Sequence, residues 1–401
     1  MLSAKDGTMP AIAIQEDEYR RRLEKAQQLM AERKIDGLLV TTYGNFQYFT
    51  GYTSHRWMQV TAPLLTIVPS KDNPVMLLPA IELGRASTNS WITDIRPIRG
   101  YTEIGVPEIC QCLTDLKLDA GIIGVELGSL FRLGISGGDL DVVKDRLPRA
   151  TFVDASDIFW SLRIVKSDPE IQQIERAVKV TDRALAQLRA TVRAGMTERQ
   201  IFQTMAAAIM TEGADWPGSI PVGSRSPDET IASDSHLRLP TDRVVREGDV
   251  VWLDAGCILN GYWSDFMRMF CIGRAASKWK SAYRFIHDAM HASIGQAKPG
   301  EPVSSAIAVF EKMLRASPYA ASADRLKTAR IAHGIGLDLI EPPSMSYADT
   351  TVLKPGMVLT IEPSIHLPEI GFFMLEEDVL ITESGNRILS EPAPAEIPEL
   401  G

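Results

Sequence analysis

Apolar residues recur with two different spacings along the first 160 residues of the chain. Residues 16–36 carry them at the spacing of a helix, from Tyr19 to Met30. The apolar run that starts at Gly37 follows at once and is typical of a buried strand. Five more strand-like runs lie at residues 63–68, 74–78, 92–98, 120–126 and 151–154. A helix that leads into a strand, followed by further strands, predicts an α/β domain.

The pattern changes near residue 167. Ser167 is a capping residue and Pro169 lies at an early helical position, which predicts a long helix to about Arg193. More helical segments follow, with strands between and after them. At 401 residues the chain also exceeds the usual size of one hydrophobic core. We therefore predict an α/β two-domain protein, with domains at residues 1–165 and 166–401.

The chain closes with EPAPAEIPEL and a final glycine, residues 391–401. This segment is rich in proline and glutamate, which disfavour helices and strands and bury little apolar surface. We expect a tail that packs as no regular element.

Composition and charge exclude two classes of partner. The net charge of -9 opposes a polyanion, so we predict no nucleic-acid partner. No apolar stretch is long enough to cross a bilayer and the N-terminus lacks an apolar signal segment, so we expect no membrane partner and a cytoplasmic location. Four cysteines in a chain of this length do not indicate a disulfide scaffold.

A predicted hairpin brings two aspartates together. Apolar strand patterns flank Asn260-Gly261, which is a strong signal for a tight turn. If the residues beside the turn pair, Asp254 lies opposite Met267, and Asp265 lies on the same face two residues away. Diagonal neighbours of this kind lie about 7–8 Å apart at the backbone. The two carboxylates can therefore converge on one cation or bridge two.

Two aspartates alone also fit a plainer interpretation, in which one of them is half-exposed at the end of a sheet. Three later residues favour a metal, because each interrupts a strand-like apolar run: His333, Glu362 and Glu376. One histidine with four carboxylates is an oxygen-rich set that suits Mn, Fe or Co. A pair of such ions about 3.5–4 Å apart can hold a hydroxide that attacks near neutral pH.

With these motifs the sequence resembles the pita-bread metalloenzymes, which comprise methionine aminopeptidase, aminopeptidase P, prolidase and creatinase. The resemblance spans nearly the whole chain and includes the segment from Asn45 to Tyr52 and the linker from Leu162 to Ser167. It implies a creatinase-like N-terminal α/β domain and a C-terminal pita-bread α+β domain. It also implies a homodimer that binds two divalent metal ions, Mn or Co in the first place and otherwise Fe or Zn.

The resemblance also assigns roles to the five candidate ligands. Asp254 is expected to chelate one ion, and His333 and Glu362 the other. Asp265 and Glu376 are expected to bridge both ions. Glu362 is further expected to act catalytically by relaying the proton of the nucleophile.

Two assignments depend on the resemblance more than on the local pattern. Glu376 is preferred to its neighbour Glu377 because it matches the family pattern Ile-Glu-Asp-x-Val-Leu-Val-Thr, whereas strand alternation does not say which of the two points inward. His236 lies 18 residues before Asp254, where the family keeps a histidine that contacts the scissile amide. An exposed and idle loop histidine is the alternative interpretation.

The resemblance implies an Xaa-Pro dipeptidase or aminopeptidase P, which cleaves an amide bond next to proline with a metal-bridging hydroxide. Three polar groups of such peptidases are missing, because two histidine positions hold Ala329 and Ile340 and an arginine position holds Met374. Their loss motivates an alternative, a metal-dependent C–N hydrolase or lyase that acts on a small non-peptide metabolite. A catalytically silent metal-binding protein is the third hypothesis.

Overall fold

The structure is a computed structural model that describes residues 14–59, 61, 63–100, 103–229 and 237–401. Its contacts divide the chain into one unit that ends at Arg163 and a second that runs from Ile164 to Gly401. Both units combine helices and sheets, as predicted for the fold class. The boundary expected between residues 165 and 166 stays a prediction. Among the described helices, none has both the length and the apolar character of a membrane span.

A six-stranded mixed sheet organises the first unit, in the order β4-β3-β2-β1-β5-β6. Strands β1 and β2, and β2 and β3, are antiparallel, whereas the other neighbours are parallel. The elements are α1 (Glu16–Arg33), β1 (Gly37–Val40), α2 (Tyr43–Thr50), β2 (Leu65–Pro69), β3 (Val75–Pro79), α3 (Leu83–Asn89), β4 (Asp94–Ile98), α4 (Val106–Asp115), β5 (Ile122–Val125), α5 (Gly137–Arg146), β6 (Thr151–Asp154) and α6 (Ser156–Arg163). Strands β1, β2 and β3 are buried throughout because helices cover the sheet.

A buried carboxylate fixes the start of α2. Glu126, directly after β5, accepts hydrogen bonds from the backbone N–H and the hydroxyl of Thr41, at 2.9 and 2.7 Å. The hydroxyl of Thr42 donates to it at 2.7 Å, and the side-chain amide of Asn45 donates at 2.9 Å. A negative charge at a helix N-terminus is also favourable. Glu126 therefore ties the ends of β1 and β5 to the first turn of α2.

We expect Glu126→Ala to lower the free energy of unfolding of the first unit by about 3 kcal/mol, because hydrogen bonds to a charge are lost and buried donors are left unsatisfied. Urea unfolding, with hydrogen exchange of residues 41–50, measures the change. Glu24→Ala, at an exposed carboxylate of α1, is the matched control and should be neutral. Equal unfolding midpoints for the two variants would contradict the role given to Glu126.

A four-stranded mixed sheet, a five-stranded antiparallel sheet and four helices make up most of the second unit. The sheets have the strand orders β19-β11-β8-β7 and β13-β12-β14-β17-β18, and β9–β10 and β15–β16 form separate hairpins. The elements are α7 (Asp168–Thr191), α8 (Glu198–Thr211), β7 (Val222–Arg225), β8 (Val250–Ala255), β9 (Ile258–Leu259), β10 (Tyr262–Trp263), β11 (Phe266–Ile272), α9 (Ser277–Gln296), α10 (Ser304–Arg315), β12 (Ala332–Gly334), β13 (Glu341–Ser344), β14 (Val358–Ile361), β15 (Ser364–Leu367), β16 (Gly371–Met374), β17 (Glu377–Thr382), β18 (Gly385–Ile388) and β19 (Glu399–Leu400).

The capping pattern at the start of α7 forms as predicted. Ser167 and Glu170 make a capping box, with Pro169 in the first turn. The core of this unit joins residues of both sheets to α9 and α10 and includes Trp252, Trp279 and Phe310. Both sheets therefore pack against one shared hydrophobic core.

The expectation of an unstructured tail at residues 391–401 was wrong. Strand β19 pairs in parallel with β11, and the backbone N–H of Cys271 donates to the carbonyl of Pro398 at 2.8 Å. Ala393 and Ile397 are buried. The edge of β11 has backbone N–H donors that need acceptors. Pro398 supplies its carbonyl oxygen as an acceptor, so its lack of an N–H does not prevent the pairing.

Candidate metal centre

The hairpin that carries two of the acidic residues has the predicted register. Leu259 pairs with Tyr262 across the turn, and Asp254 pairs with Met267. Asn260 and Gly261 both have positive φ, at 52° and 83°, as a tight hairpin turn requires. Asp265, just before β11, therefore lies diagonally across from Asp254 on the same face.

The other three residues come from the central strands of the five-stranded sheet. His333 in β12 pairs with Thr360 in β14, which pairs with Asp378 in β17. Glu362 follows β14 directly and Glu376 directly precedes β17, so each lies two residues from a member of this row. Side chains two residues apart in a strand share a face. One face of the sheet thus presents an imidazole and three carboxylates.

The structure brings all five predicted ligands together. His333 Nε2 lies 3.6 Å from Asp265 Oδ2 and 3.8 Å from Glu362 Oε1. Potential ligand atoms of Asp265, His333 and Glu376 lie within 4.8 Å of one another. Asp254 completes the group, since its carboxylate is close enough to those of Asp265 and Glu376 to affect their pKa values. Donors from two sheets therefore converge at one point.

The imidazole is oriented to use Nε2. Its Nδ1 lies 2.9 Å from the carbonyl oxygen of Gly334, so Nδ1–H donates there and Nε2 carries the lone pair that faces the carboxylates. Burial, and then the nearby Arg330, lower the pKa of His333 to about 4. The ring is consequently neutral near pH 7, which is the form that binds a metal.

Four buried carboxylates lie around this neutral ring without matching positive charge. Burial raises the pKa of Asp254 to about 6 and that of Glu362 to about 7. Burial and the neighbouring carboxylates raise the pKa values of Asp265 and Glu376 well above the usual range. Within the described residues, Asp254 Oδ1 and Glu376 Oε1 have no hydrogen-bond partner. Divalent cations would remove this cost, so the donor set fits them.

The adjacent glutamates at the start of β17 have different surroundings. Glu376 faces the cluster, whereas Glu377 forms a buried ion pair with Arg268 at 2.7 Å. The backbone N–H of Ala393 donates to Glu377 at 2.7 Å, and Arg268 also donates to the carbonyl of Glu376 at 2.6 Å. The structure therefore places Glu376, the preferred candidate, at the cluster. Glu377 instead binds Arg268, which in turn holds the backbone of Glu376.

Sequence reasoning missed two residues at this site. Asp378 is buried, and its Oδ2 accepts the backbone N–H of Asp265 at 3.1 Å. Its position two residues after Glu376 was a usable signal, since alternation puts both on one face. Arg330 Nε lies 3.6 Å from Glu362 Oε1, and its position before β12 gave no such signal.

The remaining sequence predictions have different outcomes. His236 lies outside the described residues, so its catalytic role stays a prediction. Of the three positions that lack the expected polar groups, Met374 is buried in β16 and Ile340 is exposed.

Two family profiles match the chain. "Metallopeptidase family M24" covers residues 172–383, and "Creatinase/Prolidase N-terminal domain" covers residues 22–165. Both halves of the chain therefore have counterparts in known families.

Similar proteins match over nearly their full length. The chain is 29% identical to "Uncharacterized peptidase YqhT" of Bacillus subtilis, over 94% of this chain and 99% of the relative. It is 28% identical to an Xaa-Pro dipeptidase of Pyrococcus furiosus, over 93% and 98%. The solved structure of the prolidase from Pyrococcus furiosus has a TM-score of 0.76 at 26% identity, over 91% of this chain and 99% of that one. An Xaa-Pro dipeptidase from Bacillus anthracis has a TM-score of 0.81 at 24% identity, over 95% and 100%, which supports the fold.

The adjacent glutamates provide a matched pair of variants. We expect Glu376→Gln to weaken Mn²⁺ binding by more than about 100-fold, since even loss of a group beyond the ligands costs about 10- to 100-fold. The metal-free variant should be no less stable than the parent, because a neutral amide replaces a buried carboxyl group whose raised pKa shows that its charged form is disfavoured. We expect Glu377→Gln to lower the free energy of unfolding by about 3 kcal/mol, because Arg268 loses its buried partner. Calorimetric metal titration and urea unfolding of both variants measure these effects. If Glu377→Gln weakened metal binding and Glu376→Gln lowered the stability, the roles given to the two glutamates would be contradicted.

We expect metal binding to release protons, increasingly so as the pH is lowered from about 8 to about 6, because the raised pKa values keep the metal-free carboxylates partly protonated. His333, with its pKa of about 4, contributes little in this window. The metal-free fold binds more protons than the unfolded chain, so its stability should fall as the pH rises through about 6 to 7. Calorimetry in buffers of different ionisation enthalpy measures the release. A release independent of pH would contradict these protonation states.

Proposed function

Because the chain belongs to metallopeptidase family M24, we propose that it is a dinuclear metal-dependent peptidase that hydrolyses the bond before proline in Xaa-Pro substrates. The convergence of Asp254, Asp265, His333, Glu362 and Glu376 on one buried site carries this proposal. Relatives of nearly equal length are named Xaa-Pro dipeptidases.

The five residues would together hold two divalent ions, and Asp265 and Glu376 would be the ligands that serve both. Bound ions of this kind supply Lewis acidity for the scissile carbonyl and lower the pKa of attacking water. We propose Mn or Co, because an oxygen-rich set with one imidazole suits such metals.

Glu362 is proposed to move the proton from the attacking water to the leaving nitrogen. Its side chain is 13% exposed, compared with 9% for Asp265 and 4% for His333, so it lies nearer to an incoming substrate. Its raised pKa, about 7 in the metal-free protein, shows an environment that favours the protonated carboxyl. His236 is proposed to contact the scissile amide.

The C–N hydrolase or lyase activity on a non-peptide metabolite is not favoured by the dipeptidase relatives. The substrate proposed for this chain is therefore a small peptide.

We further propose a homodimer in the cytoplasm, with domains at residues 1–165 and 166–401. The family resemblance supports the dimer, and the acidic composition of the chain supports the location. Sedimentation of the active enzyme tests the assembly, and a fully active monomer would contradict it.

Expression of fragments 1–165 and 166–401 tests the domain boundary, and fractionation of cells tests the location.

We expect metal-stripped protein reloaded with Mn²⁺ or Co²⁺ to hydrolyse Xaa-Pro dipeptides. Asp265→Ala should lower kcat/KM by roughly three orders of magnitude or more, because a ligand to both ions is lost. Asp324→Ala, at an exposed aspartate, is the matched control and should retain full activity. Amino-acid analysis of the released proline measures turnover on dipeptides and on longer Xaa-Pro peptides. Metal binding by the parent protein without hydrolysis of any of these peptides would contradict the proposed function.

A further inference from the structure

Two histidines lie one helical turn apart on α9. His287 and His291 are four positions apart, and side chains at this spacing are neighbours on one face of a helix. The centroids of their rings are 4.4 Å apart, and the ring planes are inclined to each other by 57°. An ion bound at about 2.0–2.1 Å to one nitrogen of each ring fits this separation. Two histidines at this spacing on a helix are a known way to hold zinc.

A carboxylate orients the first of these rings. His287 Nδ1 lies 3.1 Å from Asp288 Oδ1, so Nδ1–H of the neutral ring donates to the carboxylate and Nε2 carries the lone pair. Arg284 Nε donates to the other oxygen of Asp288 at 3.0 Å and holds the carboxylate in place. A carboxylate that accepts the second N–H of the ring is typical of metal-binding histidines.

The second ring is available to a ligand. Among the described residues, the His291 imidazole makes no hydrogen bond to protein, and its ring contact is with His287. Burial, and then His287, lower the pKa of His291, so the ring is neutral near pH 7, which is the form that binds a metal. Both residues are only partly buried, and the His287 side chain is 14% exposed. Water and ions can therefore reach the pair.

The nearby charges are compatible with a bound cation. Asp288 and Glu377 both act on His291 in the direction that stabilises a positive charge. Arg284 pairs with Asp288 at 3.0 Å, and Arg268 pairs with Glu377 at 2.7 Å. The formal charge of these two ion pairs is zero, so they do not oppose the binding of a cation.

We propose that His287 and His291 form a metal site on α9 that binds Zn²⁺, Ni²⁺ or Cu²⁺ in preference to Mn²⁺. Two imidazole nitrogens are its protein donors, and water completes the coordination. Imidazole suits zinc, nickel and copper, whereas carboxylate suits manganese. The site is separate from the acidic cluster, because the two share no ligand and differ in donor chemistry. It does not depend on the proposed peptidase function.

The first test counts bound ions by equilibrium dialysis against Zn²⁺ or Mn²⁺, followed by elemental analysis. We expect His287→Gln and His291→Gln each to bind one Zn²⁺ fewer than the parent protein and the same number of Mn²⁺. Loss of one of two donors should weaken Zn²⁺ binding at α9 by more than about 100-fold, and loss of the orienting carboxylate in Asp288→Ala by about 10-fold. His55→Gln, at an exposed histidine of the first unit, is the matched control and should bind as many ions as the parent.

A second readout uses Cu²⁺, added to Mn²⁺-loaded protein at less than one equivalent. The electron paramagnetic resonance spectrum of bound Cu²⁺ shows coupling to each nitrogen ligand. Of the five residues at the acidic cluster only His333 is an imidazole, whereas α9 offers two. We therefore expect coupling to two imidazole nitrogens in the parent protein and to one at most in His287→Gln and His291→Gln.

The outcomes separate the proposal from its alternatives. Equal numbers of bound Zn²⁺ ions in the parent and in both folded histidine variants would overturn it. A Cu²⁺ spectrum of the parent protein with one coupled imidazole nitrogen or none would overturn it as well, and this result does not depend on the folding of any variant. Loss of one Mn²⁺ along with one Zn²⁺ in the histidine variants would contradict the proposed selectivity.

Discussion

The unfavourable burial of four carboxylates around one neutral imidazole is the constraint on which the second unit depends. Asp254 lies in β8 and Asp265 directly before its partner β11. His333 lies in β12 of the other sheet, with Glu362 directly after β14 and Glu376 directly before β17. Like charges at this spacing repel, so the side chains remain together only if their backbones are fixed. Hydrogen-bonded strands provide that rigidity, since each strand has neighbours on both sides that set its register.

Several buried polar contacts join the two sheets beneath the cluster. Arg268 of β11 donates to the carbonyl of Glu376 and pairs with Glu377, while Asp378 accepts the N–H of Asp265. Such pairs add little net stability, because burial of the charges offsets their attraction. Their strict geometry is the relevant property here, since it fixes the distance between the carboxylates of one sheet and those of the other.

The sequence predicted those parts of the site that depend on local pattern. The register of Asp254 and Asp265 follows from a two-residue turn and strict alternation, both readable over a dozen residues. The choice of Glu376 over Glu377 required the family pattern. Strand alternation places the two side chains on opposite faces but does not show which of them points inward. The pairing of β19 escaped prediction because it depends on an edge strand more than a hundred residues away. Arg330 escaped because a long, half-exposed side chain leaves no periodic signal.

The surroundings of the ligands divide the centre into two sides. Glu376 is 1% exposed and Asp254 is 7% exposed, and each has a carboxylate oxygen without a partner in the described protein. That side has donors for cations and little access for substrate. Glu362 is more exposed and has the positive charge of Arg330 as its neighbour. The second side is therefore the one from which a substrate can approach the ligands, because its side chains are the more exposed ones.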